Sequence, residues 1–310
     1  MNARTPGGDR AVASPARRDL TGPGLAAVSG VLLAVVVITG KPALGGGQPF
    51  TLLAFRFAGT ALLLTAAAFA SRQARRPAPG EGRAMLAAGF FGYGVESALF
   101  FSALRYGTAA AVALLFYTYP VYTMLVALAT KRMPPSRSLW WALGFAMVGV
   151  TVLVAGGGSL ALEGIGVLLA LACALGYTLY MTVTDRVLRD SPPMTGAIFL
   201  ASGAAALNLT LALVSRTFEL PSGWQEWRPI VIMAVATAAA FTCVLGAIKR
   251  IGAVRTSIIA VSEPLSVALL GALVLDEPLT TWIVAGGALI LTAGVIATLA
   301  RGERAVEPDV

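Results

Sequence analysis

Gly30-Val31-Leu32-Leu33-Ala34 lies in the first long apolar run of the chain and recurs 136 residues later as Gly166-Val167-Leu168-Leu169-Ala170. Gly40 and Gly176 follow the two copies at the same distance. A single match between helices rich in Leu, Ala and Val can arise by chance. This match predicts a duplicated unit only if others follow it in the same order.

Three further matches keep that order at offsets of 144 to 145. They are Ala103–Gly107 with Ala247–Gly252, where one residue is inserted, Pro120 with Pro264, and Pro134 with Pro278. The sequence therefore predicts two repeats. The predicted segments are a disordered cytoplasmic arm at 1–22, a first repeat at 23–156, a second repeat at 157–301, and a short cytoplasmic tail at 302–310.

The composition places both repeats in a lipid bilayer. Hydrophobic residues make up 57% of the 310 residues and charged residues only 12%, against about 25% charged residues in an ordinary soluble domain. The mean hydropathy is +0.80. A membrane-spanning helix needs about 20 apolar residues, and the apolar runs predict an all-α integral membrane protein with ten transmembrane helices. The predicted helices cover 24–40, 49–71, 83–104, 107–130, 138–155, 163–186, 194–214, 229–249, 253–275 and 280–300.

The Lys and Arg residues predict the orientation of these helices. With the N-terminus in the cytoplasm, 18 of the 23 Lys and Arg residues fall in inner segments, four fall in outer segments, and Arg56 lies within a helix. Positively charged loops stay on the cytoplasmic side, so both termini are predicted to be cytoplasmic in a multi-pass protein of the inner (plasma) membrane. Because each repeat has five helices, the second enters the bilayer from the opposite side. Such inverted repeats are typical of secondary transporters, whose sites lie near the bilayer midplane.

Several classes of function are excluded by residues that the chain lacks. The net charge of +8 does not indicate nucleic-acid binding, because the basic residues are spread between apolar runs. There is no histidine, and Cys173 and Cys243 both lie in apolar runs. No metal site or cofactor is therefore predicted. An intramembrane enzyme lacks an evident nucleophile with its base. A channel or a membrane scaffold remains an alternative to a transporter of a small molecule.

Three ionisable residues are predicted to lie deep in the bilayer, where an unpaired charge is costly. Arg56 and Glu96 fall at matching depths on neighbouring helices, so they either pair and face an outer vestibule or each reach separately to the headgroups. Glu263 precedes Pro264, and Pro120 occupies the matching position of the first repeat. Proline removes a backbone hydrogen bond and kinks a helix. Glu263 then either faces a cavity, where it binds a substrate amine or a proton, or hydrogen-bonds a neighbouring helix and holds the kink.

Aromatic residues are candidates for the wall of an amphipathic pocket that suits a small organic ligand. The candidates are Tyr93, Phe116, Tyr117, Tyr119, Tyr122, Tyr177, Tyr180 and Phe241. The alternative for each is packing between helices or contact with lipid. Gly40 and Gly176 are predicted to allow close helix packing. Trp140, Trp141 and the other Trp residues fall near helix ends, as interfacial anchors do.

Several segments carry a resemblance to a known family. They are Ala103–Ala110, Leu114–Pro120, Ser262-Glu263-Pro264-Leu265, Leu275-Asp276-Glu277-Pro278-Leu279 and the pair Arg56-Phe57. Over residues 24 to 300 the chain resembles the EamA-type group of the drug/metabolite transporter superfamily. One departure is Lys131-Arg132-Met133-Pro134, where the family often has Gly-Glu. The resemblance implies a pair of inverted five-helix repeats and export of amino acids or related metabolites and drugs. It also directs attention to the Glu263-Pro264 step, beside which Ser262 is a further candidate for substrate binding.

Overall fold

A computed structural model describes residues 20–43, 49–72, 76–106, 109–134, 136–156, 163–188, 190–274 and 280–300. All regular structure within these ranges is helical, as predicted. The helices are α1 (Thr21–Ala43), α2 (Pro49–Ala70), α3 (Glu81–Ala103), α4 (Ala109–Phe116), α5 (Tyr119–Ala129), α6 (Arg137–Ala155), α7 (Gly164–Val187), α8 (Pro193–Val214), α9 (Trp224–Ala260), α10 (Ser262–Val274) and α11 (Thr281–Leu299). The predictions for 1–19 and 301–310 lie outside the described residues.

Nine helices in the described ranges are long and apolar enough to cross a membrane, and α10 is a shorter apolar helix. This count differs from the ten predicted spans because the predicted eighth and ninth helices meet without a loop. They form the 37-residue helix α9, which is interrupted only at Gly252, where φ is 77° and ψ is 166°. Glycine adopts a positive φ without steric cost, so one residue redirects the chain where the sequence predicted a short connection.

The helices of the two halves pack in a reciprocal pattern. Helix α1 packs on α9 and α10, and α7, its equivalent in the second half, packs on α3 and on α4 and α5. Helix α2 packs on α8, and α6 packs on α11, so these two pairs join equivalent helices. The same helix contacts are therefore found when the two halves are exchanged.

Polar contacts gather one set of helix termini at what we call the basic end, formed by residues 76–83, 131–134, 136–137, 185–188, 190–191, 249–255 and 300. Both carboxylate oxygens of Glu81 accept hydrogen bonds there, from the backbone N–H groups of Asp190 and Ser191 at 3.0 Å. Lys249 Nζ donates to the Ser191 carbonyl at 2.9 Å, and Arg255 donates to the carbonyl of Ala300. These segments are the ones that the Lys and Arg distribution assigned to a single side.

The remaining termini form the opposite end, made of residues 49–51, 105–106, 163 and 215–227. Thr51 Oγ1 donates to the Thr217 carbonyl at 2.7 Å, and the Glu163 N–H donates to the Tyr106 carbonyl at 2.9 Å. Each of these bonds joins segments that the sequence places on the same side. The chain therefore alternates between two ends, as a multi-pass membrane protein must.

Small residues bring α3 and α8 into close contact. A Cβ atom on Gly203 would lie 2.1 Å from the carbonyl oxygen of Leu86, and one on Gly89 would lie 2.1 Å from that of Leu200. Backbones approach this closely only where side chains are absent, which is how helices pack tightly within membranes. This crossing supports the part of α3 that carries the central polar residues.

Candidate functional site

Both repeats contain a broken helix at the same position. The predicted fourth helix is divided into α4, which ends at Phe116, and α5, which begins at Tyr119. The predicted ninth helix is divided between the last turns of α9, which end at Ala260, and α10. Pro120 and Pro264 follow the two breaks.

Proline explains where each helix stops. It lacks the N–H group that would bond to the carbonyl four residues earlier. For Pro120 that carbonyl belongs to Phe116, and for Pro264 it belongs to Ala260, the last residues of α4 and α9. In the first turn of α5 and of α10 the missing N–H has no cost. The position of each proline therefore determines where the preceding helix ends, four residues earlier.

Tyr119 and Glu263 occupy equivalent places, directly before the two prolines. Tyr119 is buried, with 1% of its surface exposed, and its hydroxyl donates to the Ser257 carbonyl on α9 at 3.3 Å. Thr178 on α7 donates to the Tyr119 carbonyl at 3.3 Å. The first break is thus joined both to the second broken helix and to α7.

Eight aromatic rings surround these breaks and form what we call the central aromatic cluster. Its members are Phe57, Tyr93, Phe116, Tyr117, Tyr119, Tyr177, Tyr180 and Phe241. Ring centroids lie 4.5 Å apart for Tyr119 and Tyr177 and 4.7 Å apart for Tyr93 and Phe241. Offset and edge-to-face pairs at such distances are favourable. Seven of the eight candidate aromatic residues therefore lie in one cluster, and these include Tyr93, Tyr117, Tyr119, Tyr177 and Phe241.

Tyr122 and Tyr180 differ from the other candidate aromatic residues in their contacts. Tyr122 is partly buried, and among the described residues its ring makes no aromatic contact with the cluster. The Tyr180 hydroxyl is buried and has no hydrogen-bond partner in the described part of the chain. Phe57, which the sequence argument had not singled out as a pocket residue, is fully buried and contacts both Tyr93 and Phe241.

Arg56 brings a positive charge to this cluster from α2. It is 4% exposed, and its Nε donates to Thr237 Oγ1 on α9 at 2.8 Å. Its guanidinium carbon lies 4.6 Å from the centroid of the Phe57 ring, a cation–π distance. Thr237 could not be predicted as the partner of Arg56, because one Thr in an apolar helix resembles any other.

Glu96 reaches the same region from α3. The helix is π-helical over Ala88–Gly94, a widened geometry that often marks functional sites, and the π-helical segment carries Tyr93. Glu96 is 7% exposed, and the thiol of Cys173 lies 3.8 Å from its Oε1. Arg56 and Glu96, both described, form no direct ion pair, yet Arg56 is close enough to interact electrostatically with both Glu96 and Glu263.

Glu263 and Ser262 begin α10. Both side chains are partly exposed, although the Ser262 oxygen itself is buried and without a hydrogen-bond partner among the described groups. A Cβ atom on Gly30 would lie 2.7 Å from that oxygen, so α1 covers Ser262 closely. Glu263 also interacts electrostatically with Glu96. The structure therefore brings Arg56, Glu96 and Glu263 to one region between the repeats.

The two candidate glycines lie at helix crossings. A Cβ atom on Gly176 would be 3.4 Å from the Gly92 carbonyl oxygen and 3.6 Å from Glu96 Cα. One on Gly40 would be 2.9 Å from Met233 Cε. Gly176 thus lies where α7 contacts the helix that carries Glu96, at an ordinary van der Waals distance, and Gly40 lies where α1 meets the flexible end of Met233 on α9.

Comparison with known proteins identifies the family. The model of the EamA-like transporter family matches this chain twice, over residues 20–155 and 164–299. The chain belongs to the EamA-like transporter family. The resemblance noted in the sequence is thereby confirmed.

Two further comparisons agree with membership of the EamA family. The chain is 26% identical over 182 residues to a protein of Synechocystis sp. named "Uncharacterized transporter sll1319". That match covers 57% of this chain and 54% of the relative, so the chain matches about half the length of that protein. A crystal structure that is 22% identical superimposes with a TM-score of 0.74, covering 91% of this chain and 99% of the other, and it supports the fold alone.

Within the EamA family match, the structure describes most of the segments that carried the resemblance. Arg56-Phe57 and Ser262-Glu263-Pro264-Leu265 both lie in or beside the central aromatic cluster. The segment Leu275–Leu279 lies outside the described residues. The residues that make this EamA protein resemble its family are therefore largely those around the two breaks.

Proposed function

We propose that this EamA-family transporter exports amino acids or related small metabolites and drugs across the cytoplasmic membrane by alternating access. The observation that carries the proposal is the position of the central aromatic cluster, where two equivalent broken helices meet. In secondary transporters, interrupted helices at matching positions of two repeats form the substrate site near the midplane. Aromatic walls with a few polar groups suit small organic ligands.

The charges beside the cluster match the two ends of an amino acid. Arg56 supplies a guanidinium, whose N–H groups bind carboxylates well. Glu96 and Glu263 supply carboxylates that accept hydrogen bonds from an ammonium group. Because these groups come from α2, α3 and α10, a substrate between them would contact both repeats. Movement of one repeat against the other would then change its surroundings.

We further propose that the repeats, at 23–156 and 157–301, are inverted, with the basic end and both termini in the cytoplasm. Reciprocal packing and alternation of the chain between two ends support this arrangement, because five helices per repeat place equivalent loops at opposite ends. The concentration of Lys and Arg at the basic end supports the orientation. Exchange of conformations between the repeats would open the site to each side in turn.

An efflux assay tests the proposal. Cells that express the protein are loaded with labelled amino acids or drugs, and the rate of release is compared with that of cells carrying Glu263→Gln. We expect release of at least one substrate and a loss of about tenfold or more in the variant, because a charge-assisted hydrogen bond of about 1.5–3 kcal/mol is removed. Glu219→Gln, at an exposed residue of the opposite end, is the matched control and retains the wild-type rate.

Two results would overturn parts of the proposal. Equal release by wild-type protein and Glu263→Gln would remove Glu263 from the site. For proton coupling, we propose Glu96 or Glu263 as the proton carrier, so one of their Gln variants should transport independently of external pH. If both variants kept the wild-type pH dependence, transport would be facilitated or coupled through other groups.

A further inference from the structure

A cavity of about 260 Å³ opens at the basic end, away from the central aromatic cluster. It lies where the end of α5, the start of α6, the end of α7 and the turn at Gly252 come together. Three arginines and one aspartate are among the residues that line it, Arg132, Arg250, Arg255 and Asp185. Its charged lining is therefore positive overall.

The arginines are held in place from outside the cavity. Arg250 Nη1 donates to the Gly246 carbonyl at 3.0 Å, and Arg255 donates to the Ala300 carbonyl. A guanidinium has five N–H donors, and each of these contacts uses part of that set. Planar guanidinium groups anchored in this way are suited to bind carboxylate and phosphate oxygens.

Asp185 contacts both the cavity and the turn at Gly252 within α9. Its Oδ2 lies 3.6 Å from Arg132 Nη1, and its Oδ1 accepts a hydrogen bond from the Ala253 N–H at 3.1 Å. Ala253 directly follows Gly252, whose backbone is not helical. One carboxylate thus contacts a guanidinium of the first repeat and the turning point of the second.

The wall of the cavity continues toward the central aromatic cluster. Thr123 lines the cavity, and its hydroxyl donates to the Tyr119 carbonyl at 2.9 Å. Val254 also lines it, and its carbonyl accepts from Ser257, whose own carbonyl accepts from the Tyr119 hydroxyl. Tyr119 therefore lies one hydrogen bond beyond Thr123.

We infer that the cavity between Arg132, Arg250 and Arg255 binds an anionic oxygen group of the carboxylate or phosphate class. The bound group competes with Asp185 for Arg132. When the anion binds, Asp185 loses its contact with Arg132. Because the same carboxylate accepts the hydrogen bond of the Ala253 N–H, occupancy of the cavity is linked to the turn at Gly252. The anion is either a solute or the phosphate of a lipid headgroup. Its assignment to the carboxylate of an exported substrate rests on the proposed function, whereas the anion site itself does not.

Binding is tested on the purified full-length protein in an uncharged detergent, with inorganic phosphate as the probe. Calorimetry gives the Kd, and thermal unfolding gives the shift in Tm relative to sodium chloride at equal ionic strength, which controls for charge screening. The variants are Arg250→Gln, Arg255→Gln and Asp185→Asn. The matched control is Arg83→Gln, which alters an exposed arginine of the same end outside the cavity.

We expect phosphate to raise the Tm of the wild-type protein more than chloride does. Loss of a charge-assisted hydrogen bond should raise the Kd about fivefold or more in Arg250→Gln and in Arg255→Gln. Asp185→Asn keeps the oxygen that accepts from Ala253 but removes the competing charge, so the Kd should fall about two- to fivefold, the value of a partly exposed ion pair. A role limited to structural support would not tighten binding.

Equal shifts with phosphate and chloride would overturn the inference, as would Arg250→Gln and Arg255→Gln both matching Arg83→Gln. Weaker binding in Asp185→Asn would overturn the competition. Arg250 is exposed, so its variant tests the site even if Arg255→Gln does not fold.

Addition of phosphatidylglycerol to the micelles identifies the source of the anion. A raised Kd for phosphate assigns the cavity to a lipid headgroup, and an unchanged Kd assigns it to a solute. Because no transport is measured, failure here leaves the efflux result standing.

Discussion

The contact between Arg56 and Thr237 gives the sharpest test of the central site, because it is a buried side-chain hydrogen bond between α2 and α9 that one substitution removes. Both side chains are buried, with exposures of 4% and 0%, and the two atoms lie 2.8 Å apart. Replacing Thr237 by Val keeps the shape of the side chain and removes only the acceptor. The guanidinium then loses a buried partner in a region that also contains Glu96 and Glu263.

The magnitude follows from the charge and the burial of the donor. A hydrogen bond to a charged group contributes about 1.5–3 kcal/mol, and loss of one partner leaves the other desolvated. A loss of about 2 kcal/mol lowers the Tm of a protein of this size by roughly 4 °C. Since Arg56 also interacts with the two carboxylates, its release should impair transport as well.

Thermal unfolding in detergent and the efflux assay measure the two effects on the same preparations. Thr292→Val is the matched control, because the Thr292 hydroxyl is exposed and donates to the Ala288 carbonyl of its own helix at 2.8 Å. We expect the control to change the Tm by less than about 1 °C, as surface substitutions usually do. If Thr237→Val and Thr292→Val gave equal Tm values and equal efflux, Arg56 would not depend on Thr237.

Two further predictions concern packing and topology. Gly203→Ala should destabilise the protein by about 1–3 kcal/mol, because the new Cβ atom would lie 2.1 Å from a backbone carbonyl oxygen of α3. By contrast, a Cβ atom on Gly294 meets no atom within 4 Å, so Gly294→Ala should stabilise α11 by about 0.5–1 kcal/mol. Equal Tm values for the two alanine variants would contradict the close crossing. Single cysteines at the exposed positions Ser71 and Ser215, in a background with Cys243→Ser, should react with an impermeant maleimide from opposite sides of the membrane. Reaction from the same side would refute the inverted repeats.

The spans and their grouping could be predicted because they depend on strong physical demands. Hydrocarbon requires about 20 apolar residues per crossing, and nine described helices meet that demand. The Lys and Arg residues predicted which loops share an end, and contacts such as that of Glu81 with Ser191 join those loops. A connection was predicted between the helices at 229–249 and 253–275, and the chain turns there at Gly252. That one residue would suffice was not predicted, because a single glycine between apolar residues has the same appearance in a helix as in a turn.

The partners of the central residues could not be predicted for a different reason. The direction of a side chain depends on the rotation of its helix, and a helix that is apolar all round gives no pattern from which to read that rotation. Depth in the bilayer indicated Arg56, Glu96 and Glu263 as candidates, and the adjacent Pro264 further indicated Glu263. The contacts of Arg56 with Thr237 and of Glu96 with Cys173 required the structure.

The residues before the two prolines have a consequence for the energetics of the transport cycle. If duplicated halves exchange conformations, identical side chains would give the two orientations of the empty protein the same energy. Here one half has a phenol at Tyr119 and the other a carboxylate at Glu263, and a charge and a neutral ring differ greatly in their cost of losing water. If the halves exchange conformations as proposed, the empty protein would prefer one orientation, and a cargo with a positive group would change that preference by pairing with the carboxylate of only one half.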